Sequence, residues 1–140
     1  MSNVTMFAGK YVLGDPCYCF GHEKESDDLW CDLLDSSSFF ERPIGNVNGV
    51  KILGFHTAFG DGCYIGSNGF EYGVDAGLIG LVPFDFAISQ IGTIKEDLHT
   101  IVEFSEDFVC SNDNGVMKFG DIIIDTLGDD VSDYDNEDDD

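Results

Sequence analysis

The sequence has almost no positive charge. Six Lys and Arg residues stand against 28 Asp and Glu, giving a formal net charge of −22. That imbalance disfavours direct binding to naked nucleic acid, because the phosphates would be repelled. It also disfavours anionic membrane surfaces and leaves few cationic clamps for an anionic substrate. Long apolar runs are missing too: no stretch approaches the ~18 residues that a membrane-spanning helix requires. Residues 1–9 lack the basic start and apolar stretch of a secretory signal. Only 3 Pro occur. The five cysteines (Cys17, Cys19, Cys31, Cys63 and Cys110) are odd in number and have no secretory context. They read as free thiols in a reducing cytoplasm, not as a disulfide framework.

Known catalytic signatures are also lacking. There is no phosphate-cradling Gly loop ending in Lys, no His-Glu-x-x-His and no Gly-x-Ser-x-Gly. Three histidines (His22, His56, His99) are available to a thiol, but nothing in their spacing ties one to a cysteine. Cys17, Cys19, His22 and Cys31 form the one metal-like cluster. Thiolate and imidazole suit zinc, yet Cys17-x-Cys19 departs from the usual knuckle spacing and, in an extended strand, would point its two thiols apart. Buried core thiols are the simpler reading, and no metal or cofactor is expected. Asp133, Asp135 and Glu137 alternate like part of a calcium loop but lack its central Gly and terminal Glu.

What is present is a foldable core. Apolar residues make up 43% of the chain, with 12 Phe and 5 Tyr, so 140 residues suffice for one packed domain. The 17 Gly, set between short apolar runs, point to turns between strands. Residues 10–14 read as a strand, and 17–20 as an extended continuation after Asp15-Pro16. Ser26 is the expected cap of a short helix in which Leu29, Trp30, Leu33 and Leu34 share a face. Residues 50–59, 63–65, 70–75 and 76–84 read as strands of a β-meander, with Asn68-Gly69 at a hairpin. The segment 93–99 fits helix or strand equally. Val102, Phe104, Phe108 and Cys110 share one face of a single expected strand. Asn112-Asp113-Asn114-Gly115 marks a turn, and a bulge at Gly120 would reconcile the two parities of the return. The expected class is α+β, β-rich: an antiparallel meander, sandwich or partly open barrel with one or two short helices. The domain is expected to span 1–128, followed by an acidic tail, 129–140, too poor in apolar residues to pack.

Three segments carry a resemblance: Gly14-Asp15-Pro16-Cys17-Tyr18, Gly60-Asp61-Gly62-Cys63-Tyr64 and Val74-Asp75-Ala76-Gly77-Leu78-Ile79-Gly80. Asp and Gly in such segments serve tight turns first of all. The set also resembles motifs of small phage and bacterial proteins over roughly residues 10–84. That resemblance implies a phage or mobile-element context and no particular activity.

Function is then read from charge. Eight of residues 129–140 are acidic, and removing them still leaves 20 acidic against 6 basic residues, a net −14. The folded body is acidic in its own right. A surface with carboxylates spaced like phosphates can fill a basic groove and release counterions as DNA does. The leading expectation is a non-enzymatic inhibitor or decoy, similar in charge to phage DNA-mimic proteins, that occupies a basic nucleic-acid-binding surface of a host protein. The expected contacts are Asp27, Asp28, Asp32 and Asp35 on the helix, with Asp129, Asp130, Asp133, Asp135 and Glu137 in the tail. The alternatives are an accessory module whose tail binds a basic partner, and a small thiol or metal-dependent enzyme.

Overall fold

The computed structural model describes residues 2–20, 24–47, 49–74, 77–92 and 98–127, with the side chains of Ser2 and of residues 24–27 excepted. In chain order the elements are β1 (Ser2–Met6), β2 (Gly9–Gly14), a 3-10 turn (Pro16–Cys19), α1 (Lys24–Ser37), β3 (Ile44–Val47), β4 (Val50–His56), β5 (Gly62–Ile65), β6 (Glu71–Val74), β7 (Leu78–Pro83), α2 (Phe84–Ile91), β8 (Thr100–Phe104), β9 (Phe108–Asp113), β10 (Val116–Phe119) and β11 (Ile122–Asp125). The expected α+β, β-rich antiparallel class is what the chain adopts.

A five-stranded sheet runs β3-β4-β7-β2-β8, and a four-stranded sheet runs β1-β9-β10-β11. All pairings are antiparallel. The β5-β6 hairpin leans on the second sheet through a Gly66–Ile124 bridge and a Ser67 N–H donating to the Ile123 carbonyl at 2.7 Å.

Strand alternation explains the layers. On β2, Tyr11 and Leu13 face one way and Val12 the other; on β7, Ile79 and Leu81 oppose Leu78 and Val82. The first set meets Met6, Phe55, Tyr72, Phe108, Cys110, Met117, Phe119 and Ile124 in a core between the two sheets. The second set meets Cys19, Phe20, Leu33, Phe40 and Ala87 in a core beneath the helices. The five-stranded sheet is therefore covered on both faces, which is why its central strands read as unbroken apolar runs.

Several local expectations are corrected. Residues 16–19 form a 3-10 turn, not a strand: Asp15 accepts from the Cys17 N–H at 3.0 Å, and Pro16 sits in the first turn, where its missing N–H costs nothing. Helix α1 begins at Lys24, so Ser26 lies inside it and is not its cap. The expected meander fails because β4 pairs with β7 while β5 and β6 pair only with each other. Pro83 ends β7 and also stands at the N-cap of α2, whose Phe84, Ala87, Ile88 and Ile91 recur at helical spacing. The expected strand over 101–110 is two strands in different sheets, and residues 105–107 cross between them. Gly120 (φ +60°) makes a hairpin turn instead of a bulge. Chain reversal reconciles the parities, pairing Phe119 with Ile122 and Met117 with Ile124. The Asn114-Gly115 turn appears as expected, with φ of 52° and 104°. Residues 93–97, 128 and the tail 129–140 lie outside the described residues.

Helix α1 ends in an unusual way. Ser38, Phe39 and Phe40 take consecutive positive φ values of 54°, 57° and 60°. Each such non-glycine residue costs on the order of 1 kcal/mol. Burial of the Phe40 ring against Gly54 offsets that cost, and the Phe40 N–H donates to Ser37 Oγ at 3.0 Å. Phe39 is left 64% exposed.

Candidate functional site

The three motif segments meet along β7. Gly14 pairs with Gly80, and Gly80 pairs with Gly54, so three glycines form one row across β2, β7 and β4. One step beyond the Leu13–Thr100 pair, His99 comes level with Gly14 and lies where a Gly14 Cβ would be. A Cβ on Gly54 would sit 2.8 Å from the Phe40 ring. The glycine row is thus a trough that admits His99 and Phe40 onto the sheet. At the other end of β7, Gly77 lies against Gly60: its Cβ would be 3.6 Å from the Gly60 Cα. The Gly60 carbonyl accepts from Thr57 Oγ1 at 2.5 Å and from the Tyr64 hydroxyl at 3.0 Å. The motif residues therefore hold loops and strands together around β7, as turn chemistry and close backbone approach require.

Beside the trough sits a buried polar knot. Asp15 is 0% exposed and His99 2%. His99 Nε2 lies 3.0 Å from the Asp15 carbonyl oxygen and 3.9 Å from Cys19 Sγ. Tyr18 meets the imidazole edge-on, with ring centroids 5.8 Å apart. A cysteine–histidine pair of this kind resembles a nucleophile with its base, but Cys19 is 0% exposed. The pair fastens the segment before β8 to the 3-10 turn. The sequence carried one faint signal for it: Gly14, at the register position facing His99.

Among the described residues the metal-like cluster is not assembled. Cys19 is buried, Cys17 half-buried and Cys31 exposed, and His22 lies outside the described residues. Among the described residues, no group of three or more His, Cys, Asp or Glu could hold a metal ion. Cys110, also buried, has its thiol pushed up to about 12, mainly by desolvation.

The acidic residues lie elsewhere. Apart from Asp15, every described Asp and Glu side chain is exposed. Asp28, Asp32 and Asp35 are exposed on α1 while Leu33 is buried beneath it. At about 100° per residue they fall within roughly 60° of arc, over about 10.5 Å of helix. Duplex DNA of that length carries about six phosphate charges, so the row has half that density. Asp27 belongs to the helix, but its side chain is outside the described set, as are Asp129, Asp130, Asp133, Asp135 and Glu137. Of the other described carboxylates, Glu106, Asp107 and Asp121 line a hollow of about 220 Å³.

Three of the described basic side chains are engaged within the fold, while Lys118 is exposed. Lys10 lies over the Phe84 ring at 4.1 Å, and Lys51 over Phe7 at 5.1 Å. Arg42 donates to the Ser36 carbonyl at 2.8 Å, near the end of α1 where a cation suits the helix dipole. Rings and a carbonyl hold these three cations. Among the described residues, no helix is long and apolar enough to cross a membrane. No protein-family model, curated protein or solved structure matches the chain.

Proposed function

We propose that this chain is a non-catalytic acidic binder that occupies a basic, nucleic-acid-binding surface of another protein, as a phage- or mobile-element-encoded decoy would. The observation that carries the reading is the row Asp28, Asp32 and Asp35, exposed on one side of a helix whose opposite side is locked into the core. A helix already folded onto the core presents its charges with little further backbone ordering on docking. The wider negative surface steers a basic partner by long-range attraction, and the row gives it a defined place to dock. At half the phosphate density the row engages a few basic residues and does not imitate a full helical turn of DNA.

The test is a titration of nucleic-acid-binding proteins with the intact chain at low and high salt. Three exposed ion pairs at roughly 0.2–1 kcal/mol each sum to about 0.6–3 kcal/mol. The triple variant Asp28→Asn, Asp32→Asn, Asp35→Asn is expected to bind roughly 3- to 150-fold more weakly at low salt. Absence of any salt-sensitive binding across the panel would sink the reading.

A second reading rests on the composition of residues 129–140: an accessory module that holds its basic partner through that segment. Deleting 129–140 separates the two. A tail-driven binder loses its partner, while a surface-driven binder keeps most of its affinity.

A further inference from the structure

The hollow at the crossing from β8 to β9 offers a more specific contact than the helix row. The chain leaves one sheet at Phe104 and enters the other at Phe108, and the two rings stack with centroids 3.6 Å apart and planes 15° from parallel. Gly120, in the β10-β11 turn, closes one wall; a Cβ there would come 2.6 Å from the Phe104 ring. Ser105, Glu106, Asp107 and Asp121 complete the lining. The Ala8 N–H donates to Asp107 Oδ1 at 2.9 Å and so fixes one of the carboxylates.

We infer that this hollow is a receptor for an arginine side chain of the basic partner, an inference that rests on the binding function proposed above. Three features select that occupant. The volume of about 220 Å³ has room for roughly seven waters and falls below the ~300 Å³ at which small-molecule sites begin, so it suits a side-chain head group. The three exposed carboxylates give the hollow a negative rim that suits a cation, yet they are not arranged as a metal-ligating group. Phenyl rings beside carboxylates favour a planar guanidinium, which stacks on aromatics and pairs bidentately, over a compact, strongly hydrated ammonium.

The experiment is an amide NMR titration of the full chain with Nα-acetyl-arginine amide, using the corresponding lysine and citrulline amides as comparators. Arginine is expected to shift the amides of residues 104–108 and 120–121 with one saturating curve. Citrulline should not bind, and lysine should bind ~2- to 5-fold more weakly. Phe104→Leu should weaken arginine binding by about the same factor. The exposed pair Glu106→Gln with Asp121→Asn should weaken it further without touching the core. Asn at 28, 32 and 35 should leave it unchanged. Shifts spread evenly over the acidic surface, arginine and lysine indistinguishable, or pocket variants binding like the parent would each overturn the inference. The same variants in the protein titration separate the two ideas. Partner binding that ignores the hollow variants removes this inference and leaves the binding function standing. Arginine seated in the hollow with no protein partner found does the reverse.

Discussion

Replacing Gly80 by Ala tests the glycine trough on which the arrangement around β7 depends. Gly80 lies in the central strand of the five-stranded sheet, paired with Gly54 on β4 and Gly14 on β2. A Cβ there would sit 2.7 Å from the Leu53 carbonyl carbon and 2.9 Å from the Gly54 Cα, and closer still to the Leu53 oxygen. These obstacles are backbone, so no side-chain rotation relieves them. Carbon–carbon contact needs about 3.5 Å, so β4 must retreat by at least about 0.8 Å. A ladder bond of ~2.9 Å would then stretch to ~3.7 Å, beyond hydrogen-bonding range. Loss of two ladder bonds at about 1 kcal/mol each, with overpacking of about 1–3 kcal/mol, gives about 3–5 kcal/mol. At roughly 3–5 °C per kcal/mol for this size of domain, the melting temperature should fall by roughly 10–20 °C. Urea and thermal unfolding followed by circular dichroism measure it. Gly69→Ala is the control: φ is +84° and nothing lies within 4 Å, so only the conformational cost of about 1 kcal/mol applies. If Gly80→Ala melts within 2 °C of the parent, or no lower than Gly69→Ala, the steric reasoning is refuted.

Three further outcomes are expected. Titration of the native chain with a thiol reagent should find Cys31 and Cys63 reactive at once and Cys17 more slowly, with Cys19 and Cys110 reacting only after denaturation; rapid reaction of all five would contradict the burial. Stability should fall in alkali: the Cys110 thiol moves from 9.0 to about 12 in the fold, so its contribution is complete below pH 9 and is lost as pH rises towards 12, by up to about 4 kcal/mol. Burial raises Tyr11 and Tyr72 above their ordinary range as well, adding in the same direction; urea midpoints that stay flat from pH 8 to 11 would count against this. Asp15→Ala should cost about 1–3 kcal/mol, because it strips the buried turn of the carboxylate that accepts from the Cys17 N–H; chemical denaturation reads it directly.

Legibility in the sequence followed the range of the interaction. Some local signals were reliable: Asn114-Gly115 supplies the positive φ a tight hairpin needs, and Leu29, Trp30, Leu33 and Leu34 place α1 by their spacing alone, whereas the Ser26 cap and the extended reading of 17–20 failed. Signals that depended on a distant partner misled. Phe104 and Phe108 share a parity, which in one strand means one face, yet they belong to different sheets and meet because those sheets are stacked. Phe119 and Ile124 differ in parity yet share a face, because the chain reverses at Gly120. The helix row was readable from spacing. The hollow between Phe104 and Asp121 was not, since its walls come from two sheets and a turn.

By itself, then, the sequence determined the antiparallel β-rich class, the short helix and the sign of the surface charge, all of which follow from composition and short periodicities. Only the tertiary structure decided which strands pair, that the three glycine-containing motifs close on one strand, and where the carboxylates collect. Those outcomes depend on contacts between residues tens of positions apart. Their geometry is set by how two sheets and two helices share the same apolar core.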